Sequence, residues 1–102
     1  MIKHVVFWKL AEKSDSALKS KSAAEIKAVL EELVNHIPQI KHIEVGENVN
    51  NSDAAFDVCL ISVFESQEDL DIYQKHEKHI AAVQKIKHHF SDRAVCDFYD
   101  YS

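Results

Sequence analysis

Apolar and polar positions at the start of the chain pair off with a period of two. Ile2, His4, Val6, Trp8 and Leu10 fall on one side, and Lys3, Val5, Phe7 and Lys9 on the other. With its β-branched and aromatic content, that pattern predicts a strand over Ile2–Leu10. Ala11 to Lys21 is polar and reads as loop or early helix. Ser22 with Glu25 has the spacing of a capping box, with a start near Asp15 as the alternative. Ile26, Val29, Leu30, Leu33, Val34 and Ile37 then recur at helical spacing as one apolar stripe. Pro38 ends that helix, because the residue ahead of a proline is pushed out of the α region.

Ile40–Val49 reads as a second strand, in which Gly46 suggests a bulge or a close backbone approach. Asn48, Asn50, Asn51, Ser52 and Asp53 mark a turn. Phe56–Phe64 is the third strand and the most apolar. Ser66 with Asp69 opens another helix, whose spacing runs from Leu70 to Phe90, and Arg93–Tyr101 is the last strand. The order β-α-β-β-α-β is that of a ferredoxin-like α+β fold. It spans residues 1–102 as a single domain, with no internal repeat, linker or low-complexity stretch.

The strands lack the apolar-in, polar-out alternation of a sheet with one wet face. Val5 and Phe7 oppose Val6 and Trp8. Cys59, Ile61 and Val63 oppose Val58, Leu60 and Phe64, and Cys96 and Phe98 oppose Val95 and Tyr99. Two helices cover one face, and the chain has nothing left for the other. An exposed apolar face of that size exceeds what monomers tolerate. The expected solution is a homodimer, sheet against sheet about a two-fold axis, burying on the order of 2,000 Å2 or more. The alternative is that the second face lines a ligand cavity within a monomer.

Composition narrows the field. The chain has 102 residues, 46% hydrophobic and 28% charged, an ordinary globular balance. A formal net charge of -5 disfavours nucleic acid and anionic membrane surfaces as partners. One glycine and one proline leave no glycine-rich phosphate loop. No apolar stretch reaches the length of a membrane span, and the strand-like run directly after Met1 is not a signal peptide, so a cytoplasmic location is expected. Cys59 and Cys96 share no metal-ligand spacing and read as reduced thiols within apolar runs.

Seven histidines are many for this length. His36, His42, His88 and His89 read as surface or helix-end residues. His4 shares a strand side with Val6 and Trp8. On a helical wheel His79 falls among Ile80, Val83, Ile86 and Phe90, and if the helix is continuous Tyr73 and His76 also fall near the edge of that stripe. His4, Tyr73, His76 and His79 then converge on one partly apolar space. Burial holds an imidazole neutral, as a general base near neutral pH requires. The plainer reading is that these are amphipathic core residues whose polar tips reach water or backbone. Imidazoles at i and i+3 plus one from a strand also resemble a zinc set, but His76-Glu77-Lys78-His79 is not the H-E-x-x-H pattern.

The stretches Ile2-Lys3-His4-Val5-Val6 with Lys9, Ile37-Pro38 to Val45-Gly46, Phe64-Glu65-Ser66 through Leu70 and Tyr73 to His76 and His79, and Asp97-Phe98 occur in one register along nearly the whole chain. Together they resemble the stress-responsive A/B barrel (Dabb) family, which includes plant stress-responsive proteins and a plant olivetolic acid cyclase. The resemblance implies a dimeric α+β barrel made of two ferredoxin-like sheets. It also implies catalytic roles for His79 as general base, Tyr73 as its support and His4 in the pocket. His76 and Trp8 are then expected to bind substrate. No organic cofactor is implied. Some members of the family hold a structural magnesium ion through backbone carbonyls after the first helix, here near Val34, His36 and Ile37. The family usually has proline after the first paired histidine, where this chain has Glu77. Glutamate also suits a first turn electrostatically, which would keep the helix start, yet it permits an unbroken helix, and its charge is expected to raise the pKa values of His76 and His79.

Two functional classes follow. One is a binding or stress-protection domain with a small-molecule pocket and no chemistry of its own. The other is a cofactor-free lyase or cyclase acting on a small carbonyl or polyketide-like substrate. RNA binding fails, because the third strand lacks the glycine and aromatic pattern of an RNA-recognition motif.

Overall fold

Strand β1 (Ile2–Leu10) is the middle of the architecture. In the computed structural model, which describes residues 1–11 and 15–101, it is followed by α1 (Ser16–Glu31), a 3-10 turn (Glu32–Asn35), β2 (His42–Glu47) and β3 (Val58–Phe64). Then come α2 (Gln67–Lys75), α3 (Glu77–Ile86), a second 3-10 turn (Lys87–His89) and β4 (Phe90–Tyr99). The sheet order is β2-β3-β1-β4 and every pairing is antiparallel. This is the ferredoxin-like α+β fold.

Register assigns each side chain to a face. His4 stands opposite Ser62 and Asp97, Val6 opposite Leu60 and Val95, and Trp8 opposite Val58 and Arg93. The helices cover that side. Ile26 and Leu30 of α1, Leu33, Ile37, Leu70 and Tyr73, and Ala82 and Ile86 of α3 share one core with Ile2, Val6, Trp8 and Phe64. Side chains of α1 also hold β2, an edge strand: the Val45 amide donates to Glu31 Oε2 (3.0 Å), and Lys27 Nζ donates to the Val45 carbonyl (2.9 Å). The outer face carries Val5, Phe7, Cys59, Ile61, Val63, Cys96 and Phe98. Phe7 is 37% exposed and Phe98 45%. Apolar side chains therefore lie front and back, as the broken alternation predicts.

Several local expectations give way. Helix α1 starts at its earlier alternative, because Asp15 Oδ1 accepts the Ala17 and Leu18 amides. Ser22 is buried inside the helix rather than capping it. Residues 12–14 of the predicted polar segment lie outside the described residues. The second strand is shorter than Ile40–Val49. Gly46 pairs in unbroken register with Cys59, and the irregularity falls between Lys9 and Leu10, where β1 meets β4. The long helix from Leu70 is broken at His76, whose ψ of 137 is extended. Glu77 opens α3 and does not fuse the two helices. Phe90 begins β4 rather than ending a helix. His89, expected on the surface, is 7% exposed and pairs through Nε2 with Glu25 Oε2 at 3.1 Å.

Candidate functional site

A cavity of about 470 Å3 lies between the helix side of the sheet and α3. β1 supplies His4, Val6 and Trp8 to its lining, α2 supplies Tyr73, and α3 supplies His79, Val83 and Ile86. Leu30, Leu60, Lys87, Phe90 and Arg93 complete it. A larger hollow of about 570 Å3 lies around Phe7, Phe56 and Cys59, but it has no histidine or tyrosine in its lining. His4, Tyr73 and His79 gather in the smaller one.

His79 is half-buried, and its Nδ1 lies 3.1 Å from the Gln74 carbonyl. A carbonyl oxygen only accepts, so Nδ1 carries the hydrogen and the Nε2 lone pair is left for a proton. The break at His76 places the Gln74 carbonyl, at the end of α2, within reach of a ring on α3. Burial pushes the His79 pKa below its ordinary value of 6.5; the Gln74 hydrogen bond opposes this, and the charges of His4, Arg93 and His76 add to the fall. The upward shift expected from Glu77 does not occur. His79 is thus held neutral at physiological pH.

Tyr73 is fully buried. Its ring centroid is 4.5 Å from that of His79 and 6.4 Å from that of His4. Its hydroxyl has no hydrogen-bond partner among the described residues, and burial pushes its pKa well above the ordinary value. His4, 3% exposed, donates from Nδ1 to Asp97 Oδ1 at 2.5 Å, which fixes the ring and leaves Nε2 as its other polar atom. Trp8 forms a wall, stacked on Phe90 at 4.6 Å and 5° between planes.

The structure therefore brings together His4, Trp8, Tyr73 and His79. It does not bring His76, which is absent from the lining. Its Nδ1 accepts the Lys78 amide (3.0 Å) and caps α3. Ile80, expected in the buried stripe, is 50% exposed. Sequence reasoning passed over Lys87 and Arg93. The usable signal was alternation along the last strand, which puts Arg93 on the side of Asp97 and opposite Trp8.

Among the described residues, no group of three or more His, Cys, Asp and Glu side chains is placed to hold a metal ion. Main-chain oxygens near Val34, His36 and Ile37 suit a hard cation in kind. The turn is tightly used, however. The Leu33 carbonyl accepts the His36 and Ile37 amides, and the Ile37 carbonyl accepts the Ile40 amide. His36 Nε2 faces Glu32 at 3.3 Å. Of the three expected carbonyls, that of Ile37 is the one already accepting an amide.

The family model of the stress responsive A/B barrel domain matches residues 2–100. The chain belongs to that family. No curated protein matches it. Among solved structures, this Dabb chain is similar to a dimeric protein of unknown function and ferredoxin-like fold from Bacteroides fragilis NCTC 9343. Identity there is 30% over 95% of this chain and 93% of that one, with a TM-score of 0.82. It is also similar to At3g17210 from Arabidopsis thaliana (20% identity, 100% and 97% covered, TM-score 0.80). A hydroxynitrile lyase from Passiflora edulis is a third (16%, 99% and 94%, TM-score 0.79). At the two lower identities the likeness is one of fold. Among the described residues, no helix of the Dabb chain is long and apolar enough to cross a membrane.

Proposed function

We propose that this Dabb chain works as a cytosolic homodimer in which each copy binds a small carbonyl compound in the cavity beside His79. The observation that carries the reading is the Tyr73 hydroxyl, fully buried without a partner among the described residues and next to a neutral imidazole. An unsatisfied buried donor costs roughly 1–3 kcal/mol. A ligand oxygen accepting from it recovers that loss. The volume, about 470 Å3, lies in the usual ~300–1,000 Å3 range of small-molecule sites. Pairing is supported by the apolar outer face and by the dimeric relative from Bacteroides fragilis. The net charge of -5 speaks against nucleic acid as the partner.

A second reading, lyase or cyclase chemistry, is favoured by the free Nε2 of His79. His79 Nε2 would take a proton from the carbon next to the ligand carbonyl, leaving an enolate and an imidazolium. Tyr73 would donate to the enolate oxygen as its charge develops, with His4 alongside. The enolate carbon would then attack a second carbonyl of the same molecule, and the imidazolium would return its proton to the new alkoxide. Every atom comes from ligand and protein, and no cofactor enters.

NMR of the His79 imidazole during titration with β-diketones tests both. Binding moves the Nε2 resonance. Turnover that His79→Ala abolishes, in a chain that still folds, selects the enzyme; binding without turnover selects the binding domain. A His79 signal indifferent to every candidate ends both. A structural magnesium ion at the Val34–Ile37 turn is a separate proposal, checked by whether added magnesium raises the melting temperature.

A further inference from the structure

Resting on the reading of the cavity as a binding pocket, we infer that its ligand is an amphipathic anion. Its apolar body lies against Trp8, Leu60 and Ile86, and its charged head meets Arg93, with Lys87 beside it.

The lining is unbalanced in charge. It contains Lys87 and Arg93 but no aspartate or glutamate. That runs against the whole chain, whose formal net charge is -5. Four of the other cations are neutralised locally. Lys3, Lys19, Lys27 and Lys41 each sit within 4 Å of a carboxylate, on Asp100, Asp57, Glu31 and Glu65. Among the described residues no carboxylate pairs with Lys87 or Arg93. Lys87 lies at the C-terminus of α3, where a cation is favoured by the helix dipole alone. Arg93 has no such excuse. It stands on edge strand β4, opposite Trp8, and is exposed.

The depth of the cavity is apolar. Val6, Trp8, Leu60 and Ile86 are all buried. The two full charges are exposed and so lie at its mouth. Arg93 also helps to lower the His79 pKa, so its field reaches the acid–base centre. A guanidinium fork matches a carboxylate or a phosphate through two parallel hydrogen bonds. A neutral ligand would leave it facing water.

Trp8 is the single tryptophan of the chain and lines this cavity, so its emission reports occupancy without any assay of turnover. The intact chain is titrated with octanoate, octyl phosphate and octanol. Both anions are expected to bind more tightly than the alcohol, and the tighter of the two identifies the head group. Arg93→Gln should weaken the anions by about tenfold or more and leave octanol unchanged. Arg93→Lys should restore part of the loss. Arg93 is exposed, so both variants should melt with the parent. Octanol binding as tightly as octanoate, or Arg93→Gln weakening all three alike, overturns the anion inference and leaves the pocket standing. Silence from Trp8 with all three probes overturns the pocket as well.

Discussion

Tyr73 and His79 are each held in a costly state. The Tyr73 hydroxyl is buried without a partner among the described residues. Tyr73→Phe removes that orphan and keeps the ring, so it should leave the melting temperature unchanged or raise it. The same change should weaken a carbonyl ligand by roughly tenfold, measured by calorimetry. A structural tyrosine with a satisfied hydroxyl would behave in the opposite way. His79 resists protonation when folded, because burial depresses its pKa below the ordinary 6.5. Below pH 6.5 the unfolded chain therefore binds a proton that the folded chain refuses. Stability from this residue is fully present above the ordinary value and falls as pH drops through it, until the lower folded pKa is reached. Melting curves should show this loss in the parent and less of it in His79→Gln. His4 and Trp8 share a cavity with His79 because each lies on a regular face, whereas Tyr73 reaches it from a separate helix and not along the continuous one expected. Sequence reasoning misplaced His76 and His89, whose positions depend on where a helix breaks and ends.

That break sets the geometry of the site at the scale of elements. His76 ends α2 with an extended ψ and caps α3 with its own ring, accepting the Lys78 amide. His76→Ala should cost about 1 kcal/mol, the usual value of an N-cap, read from denaturant unfolding. His76→Asp, a better cap, should not. Glu77 occupies the first position of α3, where an acidic side chain suits the helix dipole. The hydrophobic spacing runs straight through this point. Periodicity reports which side of a helix is apolar, and it is silent when two helices share a side across one extended residue. The start of α1 was ambiguous for a related reason, since Asp15 and Ser22 both offer a capping oxygen and only packing chooses between them.

The whole molecule is organised by a sheet with apolar side chains on both faces, a property read directly from three of its strands. Phe7→Glu places a charge in the middle of the outer face, and in a pair of copies it places two. Like charges brought together at an interface are strongly unfavourable. Sedimentation velocity should show pairing weakened by roughly a hundredfold in Kd, with far-ultraviolet circular dichroism unchanged. A parent chain that sediments as one copy at micromolar concentration would remove the basis for the barrel. Cys59 and Cys96 share that outer face, opposite Phe7 and Val5, and neither is in a disulfide. In a closed barrel both sulfurs are sealed inside, and on a separated subunit they meet the solvent. Alkylation or oxidation would then fall on subunits that have parted and would hinder their rejoining.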